Sequence, residues 1–339
     1  MTVATTGEFG LIARIISRLA ADRAADRTAD TAADTGADAG ADRRPDSGPS
    51  CLLGPGDDAA IVAAPDGRAV LSTDVLVEGR HFRRDWSGAR DVGHRAAAAN
   101  MADIVAMGAV PTALLLVLCA PPELEARWAE ELADGLAAEA SLVGATVVGG
   151  DMSASPTLTI AVTALGDLGG RAPVVRSGAR PGDIVALAGR IGYAAAGYTV
   201  LSRGFRSPKV LVEAHRRPQV PYAAGPVAAR LGATAMIDVS DGLLADLGHV
   251  ATASRVGIDI RQDAFTVPAQ MRDAAAALGV DPYTWILAGG DDHPLAATFP
   301  PTTELPAGWL AIGSVADGGG VTVDGAPYSG GPAGWDHFR

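Results

Sequence analysis

The stretch LSTDVLVEGRHF, from Leu71 to Phe82, begins as an apolar β-strand and then places an aspartate, Asp74, where a hydrophobic residue is expected. Ser72 and Thr73 precede this aspartate directly, and His81 follows it seven residues later. A carboxylate in an apolar strand costs on the order of several kcal/mol unless a hydrogen-bond network, a cation or a metal ion meets it. The stretch therefore predicts a strand that carries a polar or metal-binding site.

The composition describes a large globular chain. Its 339 residues are 48% hydrophobic and only 5% aromatic, which is enough for a sizeable aliphatic core and for two domains. The formal charge of -12 argues against nucleic acid or an anionic membrane as the main partner, because phosphate backbones are bound by surplus Lys and Arg. An acidic enzyme that handles phosphates needs metal cations as intermediaries.

The two cysteines, Cys51 and Cys119, form neither a CxxC motif nor a Cys/His pattern, so we expect no disulfide framework, no zinc site and a cytoplasmic location. The first 20 residues have no basic leader before an apolar core, which predicts no export signal. The longest apolar run, over 110–122, is too short to span a bilayer and indicates a core strand.

Hydrophobic periodicity predicts an α+β chain in two domains, over 1–170 and 171–339. Residues 21–50 alternate Ala, Asp, Arg, Thr and Gly without a large apolar residue, which predicts a disordered insertion. The turn-rich RSGARPG, over 176–182, suits the boundary between the domains. The elements predicted in the first domain are helices over 7–20, 89–107 and 122–142 and strands over 68–77, 113–119, 145–151 and 157–166.

Several aspartates fall at the ends of predicted elements or in apolar surroundings. They are Asp57, Asp58, Asp74, Asp103, Asp151, Asp238 and Asp241. Each aspartate alone is weak evidence for a metal site. An ion pair with Arg95 accounts for Asp103 as well as a metal does. Asp241 is also typical of the first turn of a helix, with Ser240 as its N-cap. Jointly they form a set of hard oxygen ligands, which selects Mg²⁺ or Mn²⁺ over zinc or copper. The leading chemistry is phosphoryl transfer from a nucleotide.

A set of motifs then points to a family. In chain order they are GEFGLIARI, GPGDDAAIV, LSTDVLVEGRHF, NMADIVAMGA, VVGGDMS, RSGARPGD, IDVSDGLLADLGHV, GGDD and GWDHF. In this order the chain resembles the thiamine-monophosphate kinase family, within the superfamily of aminoimidazole-ribonucleotide synthetase and selenophosphate synthetase. The resemblance covers essentially the whole chain except the Ala/Asp-rich insertion. Short pieces such as GDD are unspecific, whereas the ordered set is specific.

The resemblance implies a two-domain PurM-like fold and a reaction. Its N-terminal αβ domain binds ATP and Mg²⁺ and dimerises through its sheet, and its C-terminal domain is α+β. The reaction transfers the γ-phosphoryl group of ATP to thiamine monophosphate, giving thiamine diphosphate. The implied ligands of several Mg²⁺ ions are Asp58, Ser72, Thr73, Asp74, Asp103, Asp151, Asp238 and Asp241. The implied ATP contacts are Gly150, Asp151, Arg176 and Ser240, and the implied thiamine-phosphate contacts are His81, Asp291 and Trp335.

Other interpretations stay open at this point. Arg176 is also consistent with an exposed loop arginine, and His81 with a surface histidine. Trp335 is also consistent with a residue that packs the C-terminus against the core. We expect His215, His249, His293 and His337 to be structural or surface residues. The chain reads GGDDHPL over 289–295, where the family usually reads GGEDYEL, and this puts substrate affinity in doubt.

The alternative functions are another ATP-dependent superfamily member and a non-catalytic nucleotide-binding relative. A selenophosphate synthetase needs a reactive cysteine or selenocysteine and a lysine in a Gly-rich N-terminal loop, and we find neither. A hydrogenase-maturation relative carries a C-terminal cysteine, whereas this chain ends in HFR.

Overall fold

The structure is a computed structural model that describes residues 2–7, 10–19, 51–54 and 59–335. The predicted insertion over 21–50 lies outside the described residues, and so do Asp57 and Asp58. The chain divides into two compact units. The first consists of Met1–Asn100 and Pro111–Asp167, and the second of Met101–Val110 and Leu168–Arg339. The predicted boundary near residue 170 assigns Met101–Val110 to the first domain, whereas this segment belongs to the second unit.

The first unit is built around a four-stranded sheet. In chain order its elements are α1 (Val3–Thr6), α2 (10–19), β1 (Cys51–Leu53), β2 (Ile61–Val62), β3 (Val70–Val77), α3 (Ala89–Ala106), β4 (Val110–Ala120), α4 (Ala126–Ser141), β5 (Thr146–Ala154) and β6 (Thr159–Asp167). The sheet order is β3-β6-β4-β5, with β3 antiparallel to β6 and β4 parallel to β5. The apolar run predicted as a core strand is β4, a central strand of this sheet.

Helices α3 and α4 approach each other at two glycines. A Cβ atom added at Gly93 would lie 2.1 Å from the carbonyl oxygen of Leu132, and one added at Gly135 would lie 2.1 Å from that of Arg90. No side chain fits at either distance, so glycine is required at both positions. This close packing positions α3, which carries Asn100 and Asp103.

The second unit contains a seven-stranded sheet. Its elements are β7 (Ile184–Ala188), α5 (Tyr193–Ser202), α6 (Lys209–Arg216), α7 (Ala224–Arg230), β8 (Ala235–Asp238), α8 (Leu243–Ser254), β9 (Gly257–Ile260), α9 (Ala269–Leu278), α10 (Pro282–Ala288), β10 (Leu295–Phe299), β11 (Trp309–Ala316), β12 (Gly320–Val323) and β13 (Ala326–Pro327). The sheet order is β13-β12-β9-β11-β7-β10-β8.

The register of the second sheet gathers three loops at one end. Leu295 at the start of β10 pairs with Ala188 at the end of β7 and with Asp238 at the end of β8. The loops over 189–192, 239–242 and 289–294 therefore leave the sheet side by side. Two of these loops carry predicted site residues.

Within the described part of the chain, no helix has both the length and the apolar character needed to cross a bilayer.

Candidate functional site

In the first unit, Asp74 lies on β3, at an edge of the sheet. Its backbone N–H donates to the side-chain oxygen of Asn100 at 2.9 Å, and the Asn100 amide nitrogen donates to the carbonyl of Ala96 at 2.9 Å. Asn100 is only 1% exposed. Because the amide of an edge strand has no further strand to pair with, a buried side chain on α3 satisfies it instead.

The edge position corrects the expectation that Asp74 lies in buried apolar surroundings. The Asp74 side chain is exposed, and its neighbours Leu71 and Val75 are 62% and 45% exposed. A carboxylate on such a surface pays no large desolvation cost in this chain by itself. The strand therefore tolerates this exposed carboxylate without needing a metal ion to offset its burial.

The hydroxyl of Thr73 is already engaged within the sheet. Its Oγ1 donates to the carbonyl of Val162 at 3.0 Å and lies 3.0 Å from the Thr163 hydroxyl. As a metal ligand Thr73 has only a remaining lone pair to offer. Ser72, its neighbour on the strand, is half-buried.

His81 is held by the turn that follows β3. The N–H of Val77 donates to its Nδ1 at 3.0 Å, and its own N–H donates to the carbonyl of Val77 at 2.9 Å. Because Nδ1 accepts a hydrogen bond, the neutral ring carries its proton on Nε2. The orientation of the ring is thus set by the turn itself.

Asp151 lies on β5, the opposite edge of the same sheet from Asp74. Strands β6 and β4 stand between them, so three strand spacings, about 14 Å, separate the two backbones. Mg²⁺–oxygen bonds are about 2.0–2.1 Å long, so Asp74 and Asp151 do not share one ion within this sheet. Next to Asp151, a Cβ at Gly150 would lie 1.8 Å from the Leu116 carbonyl oxygen, so that glycine has a structural reason as well.

In the second unit, Asp238 forms a buried pair with a histidine. Its Oδ2 lies 3.1 Å from Nδ1 of His293, and the two residues are 3% and 6% exposed. Burial alone would lower the pKa of His293, but the hydrogen bond to Asp238 and the charges of Asp238, Asp291 and Asp103 raise it. His293 is thus a buried residue and not a surface one, and it pairs with Asp238, a predicted metal ligand.

The loop over 289–294 is locked to the loop over 239–242 through backbone contacts. The N–H of Asp291 donates to the Ser240 carbonyl at 2.9 Å, and that of His293 donates to the Val239 carbonyl at 3.2 Å. Asp291 and His293 have φ values of 68° and 52°. Two non-glycine residues in the left-handed region indicate a backbone that the surrounding contacts hold in place.

The amides at the start of α8 are filled by the protein itself. The N–H groups of Ser240, Asp241 and Gly242 all donate to Oδ2 of Asp246 at 3.0 Å. Burial raises the pKa of Asp246 to about 7, with a further contribution from the charge of Asp238. The predicted N-cap, Ser240, is wrong, because the helix begins after Gly242, and Asp246 accepts the Gly242 N–H that a Ser240 cap would have accepted. A nucleotide phosphate finds these amides occupied.

Trp335 lies beside the same loop. Its backbone N–H donates to the Asp241 carbonyl at 2.8 Å, while the residue as a whole remains 54% exposed. The backbone is thus fixed while about half of the residue's surface is exposed, which suits stacking on an aromatic ligand. Asp238, Ser240, Asp241, Asp291 and Trp335 are therefore gathered on two adjacent loops and the C-terminal segment.

Arg176 lies at the far end of the same unit. Its carbonyl accepts from the Ser254 hydroxyl at 2.8 Å, and Ser254 is the last residue of α8. Ser240 precedes the first residue of that helix, so about 18 Å of helix separates the two neighbourhoods. The structure does not bring Arg176 and Ser240, both predicted ATP contacts, close together.

Comparison with known proteins supplies the family. A family model described as "AIR synthase related protein, N-terminal domain" matches residues 56–168. A thiamine-monophosphate kinase of Mycobacterium tuberculosis is 51% identical over 289 residues, which cover 85% of this chain and 86% of the relative. The chain belongs to the thiamine-monophosphate kinase family.

Solved structures of thiamine-monophosphate kinases are also similar. The crystal structure from Stenotrophomonas maltophilia has a TM-score of 0.74 at 32% identity and covers 82% of this chain and 92% of that one. A structure described as AaThiL complexed with AMPPCP and TMP has a TM-score of 0.76 at 33% identity, covering 83% and 91%. The mixed α+β fold predicted from sequence is confirmed, and it is the fold of the thiamine-monophosphate kinases.

The resemblance implies Mg²⁺, and the described residues offer it an open set of oxygen donors. Among the described residues, no three His, Cys, Asp or Glu side chains converge to hold a metal ion. Mg²⁺ in phosphate-handling enzymes usually keeps several waters and takes only one or two carboxylates together with substrate phosphates. Asp238 fits that role, since Oδ2 is its one hydrogen-bonded carboxylate oxygen within the described chain. Asp238 therefore fits a Mg²⁺ ion whose remaining coordination positions are filled by water or phosphate oxygens.

Sequence reasoning missed Asn100, Asp246 and Asp292. Asp292 is 4% exposed and accepts from the Ala194 N–H at 3.0 Å, at the start of α5. A signal existed only for Asp246, whose position four residues after Gly242 allows its side chain to reach back over one turn. Asn100 and Asp292 accept hydrogen bonds from residues far away in the sequence, and no local sequence pattern predicts such contacts.

Proposed function

We propose that the protein transfers the γ-phosphoryl group of ATP directly to the phosphate of thiamine monophosphate. The products are ADP and thiamine diphosphate, so this is the last step of thiamine diphosphate biosynthesis. Identity of 51% to a thiamine-monophosphate kinase over 85% of the chain carries the proposal. The similar structure with AMPPCP and TMP bound adds support, because it pairs an ATP-type ligand with TMP on this fold.

The charge of the candidate site explains why metal ions are needed. Donor and acceptor are both phosphates, and the residues gathered in the second unit include Asp238, Asp241 and Asp291, which repel anions as well. We propose Mg²⁺ as the cofactor, bound as several ions by Asp58, Ser72, Thr73, Asp74, Asp103, Asp151, Asp238 and Asp241. When bound, these ions neutralise the phosphate oxygens and hold the two substrates in line.

The separation of the acidic residues supports several ions over one. Asp74 and Asp151 occupy opposite edges of one sheet, so each belongs to a different ion. Asp238 and Asp241 flank the turn before α8 and form a third neighbourhood. Each neighbourhood alone has too few carboxylates for a closed site, which leaves coordination positions for phosphate oxygens and water.

Substrate recognition is proposed for the residues with defined geometry. We assign thiamine-phosphate binding to His81, whose ring is oriented by the Val77 N–H, to Asp291 on its fixed loop and to Trp335, which is 54% exposed. ATP binding is assigned to Gly150, Asp151, Arg176 and Ser240. Since Asp246 fills the amides of the loop over 240–242, Ser240 reaches the nucleotide through its hydroxyl and not through its N–H.

No protein nucleophile or strong general base is required. The phosphate of thiamine monophosphate is ionised at neutral pH, so its oxygen attacks without losing a proton. The chain's contribution is to orient the two substrates and to place their charges. The Asn100 contact of the Asp74 backbone and the buried pair of Asp238 with His293 serve this purpose, since each fixes the strand edge or end that carries a candidate ligand.

We also propose a cytoplasmic homodimer. Exposed apolar side chains lie on the small strands and on the outer strand β3 of the first unit: Leu52, Leu53, Ile61, Leu71 and Val75. An exposed apolar edge strand is a surface for pairing with another chain, and a second copy would cover it. The free thiols Cys51 and Cys119 suit a reducing compartment.

Product analysis tests the proposal. Purified protein is incubated with Mg-ATP and thiamine monophosphate, and thiamine diphosphate and ADP are quantified. We expect the two products in equal amounts. ADP without thiamine diphosphate, or nucleotide binding without any product, would instead favour another ATP-dependent superfamily member or a non-catalytic relative.

A further inference from the structure

The pair between His293 and Asp238 has a role that the proposed chemistry leaves unassigned. We propose that His293 is a positioning residue, whose Nδ1–H orients the Asp238 carboxylate so that its other oxygen faces a divalent cation. The inference rests on the proposed function, which makes Asp238 a metal ligand. It concerns His293 in GGDDHPL, on the loop that follows α10.

The contact itself is specific. Nδ1 lies 3.1 Å from Oδ2 of Asp238, and both side chains are more than nine-tenths buried. Within the described chain this is the one hydrogen bond of the Asp238 side chain, so Oδ1 keeps its lone pairs for a ligand. A carboxylate with one oxygen tied to a donor loses rotational freedom, and the direction of its second oxygen is then set.

The backbone on both sides of the pair is fixed. The N–H of His293 donates to the Val239 carbonyl, next to Asp238, and the N–H of Val239 donates to the Pro294 carbonyl at 2.8 Å. Residues 293–294 and 239 thus exchange two hydrogen bonds beside the side-chain pair. With φ of 52°, the His293 backbone has a conformation that non-glycine residues rarely adopt, and these hydrogen bonds stabilise it.

The neighbouring charges agree with a donor at this place. Asp291 and Asp103 both act electrostatically on His293, so the ring lies among carboxylates. An apolar ring in its position would leave Asp238 buried without a hydrogen-bond donor. The role as donor holds for the neutral ring with its proton on Nδ1 as well as for the charged ring.

Two variants separate the hydrogen bond from packing. His293→Phe keeps the ring shape and the Cβ but removes the donor. His293→Asn removes the ring but places an amide nitrogen where Nδ1 stood, and asparagine tolerates a positive φ. Asp238→Asn is the matched control, because it identifies the bound ion that depends on Asp238.

The readout is Mn²⁺ binding to the whole protein without nucleotide, followed by electron paramagnetic resonance and calorimetry. The ion lost in Asp238→Asn is expected to bind about ten- to hundredfold more weakly in His293→Phe, and within about threefold of wild type in His293→Asn. Melting temperatures of all variants are measured alongside. In the kinase assay, His293→Phe should raise the Mg²⁺ concentration for half-maximal rate more than it lowers kcat at saturating Mg²⁺.

The outcomes distinguish this inference from the proposed function. If His293→Phe binds the ion as wild type does, or if folded His293→Asn loses it tenfold, His293 does not act through its hydrogen bond. If Asp238→Asn keeps every ion while the wild type still makes thiamine diphosphate, the inference is overturned and the function stands. A wild type that makes no thiamine diphosphate overturns the function. Should His293→Phe fail to fold, the affinity of His293→Asn decides alone.

Discussion

The side chain of Asn100 accepts the backbone N–H of Asp74 at 2.9 Å and so ties the outer edge of β3 to helix α3. The same side chain donates to the Ala96 carbonyl one turn earlier in its helix. One buried amide thus satisfies two backbone groups on different elements. The strand that carries Ser72, Thr73 and Asp74 is therefore held at a fixed distance from the helix, even though Thr73 and Asp74 are exposed.

Replacing Asn100 by leucine should lower both stability and activity. The substitution leaves the Asp74 N–H without its acceptor, which costs about 1–3 kcal/mol in the free energy of unfolding. Urea denaturation measures this, and the kinase assay should show a loss of rate larger than the loss of folded protein. Thr157→Ala, at an exposed position, is the control and should change stability by less than about 0.5 kcal/mol. Equal stability of Asn100→Leu and wild type would contradict the assigned contact.

Removing the charge of Asp74 should abolish phosphoryl transfer without unfolding the protein. Because the Asp74 side chain is exposed, Asp74→Asn should leave the melting temperature within a few degrees, while the rate falls by about a hundredfold or more. Asp85→Asn, at an exposed aspartate paired with Arg83, is the matched control and should retain wild-type turnover. Normal turnover in Asp74→Asn would mean that Asp74 is not a metal ligand.

The sequence predicted where helices and strands form, but not which of them pack side by side. The periodicity that predicted a helix over 89–107 is local, and α3 spans Ala89–Ala106. The edge position of β3 depends on which strands pair, and apolar residues such as Leu71 read alike in a central strand and in an exposed edge. The predicted burial of Asp74 failed for this reason.

The candidate site shows the same limit at Ser240 and His293. Ser240 is a good N-cap by residue type, but Asp246 accepts the Gly242 N–H instead, and the local sequence does not determine which of the two side chains accepts it. His293 follows two aspartates and reads as an ordinary loop histidine. Its pairing with Asp238, 55 residues earlier in the chain, follows from the register of β10 against β8.

The packing of α3 on α4 can be tested at its glycines. Gly135→Ala places a methyl group 2.1 Å from the Arg90 carbonyl oxygen, which forces the helices apart and should cost about 3 kcal/mol. Gly248→Ala is the control, since its helical position has open space and alanine favours a helix by about 0.5–1 kcal/mol. Chemical denaturation of both variants measures the difference. A Gly135→Ala protein as stable as wild type would show that the helices are not in this close contact.

The buried carboxyl of Asp292 should make stability depend on pH. Burial raises its pKa to about 7, against the hydrogen bond from Ala194 and the charge of Arg190, which act in the opposite direction. In the unfolded chain the group ionises near its usual value of about 4. Between these two values the unfolded state loses the proton while the folded state keeps it. The stabilising contribution is therefore complete below pH of about 4 and is lost as pH rises to about 7, at about 1.4 kcal/mol per pH unit.

Asp292→Asn removes this titration while its side-chain oxygen still accepts from Ala194. Its free energy of unfolding should fall less steeply than that of wild type between pH 5 and pH 7, and above pH 8 the two curves should run parallel. Urea denaturation at one-unit pH intervals provides the curves. Asp246, whose pKa is also raised to about 7, contributes the same sign in both proteins, so only the difference between them reports Asp292. Parallel curves throughout would show that Asp292 is already ionised in the folded protein at pH 5.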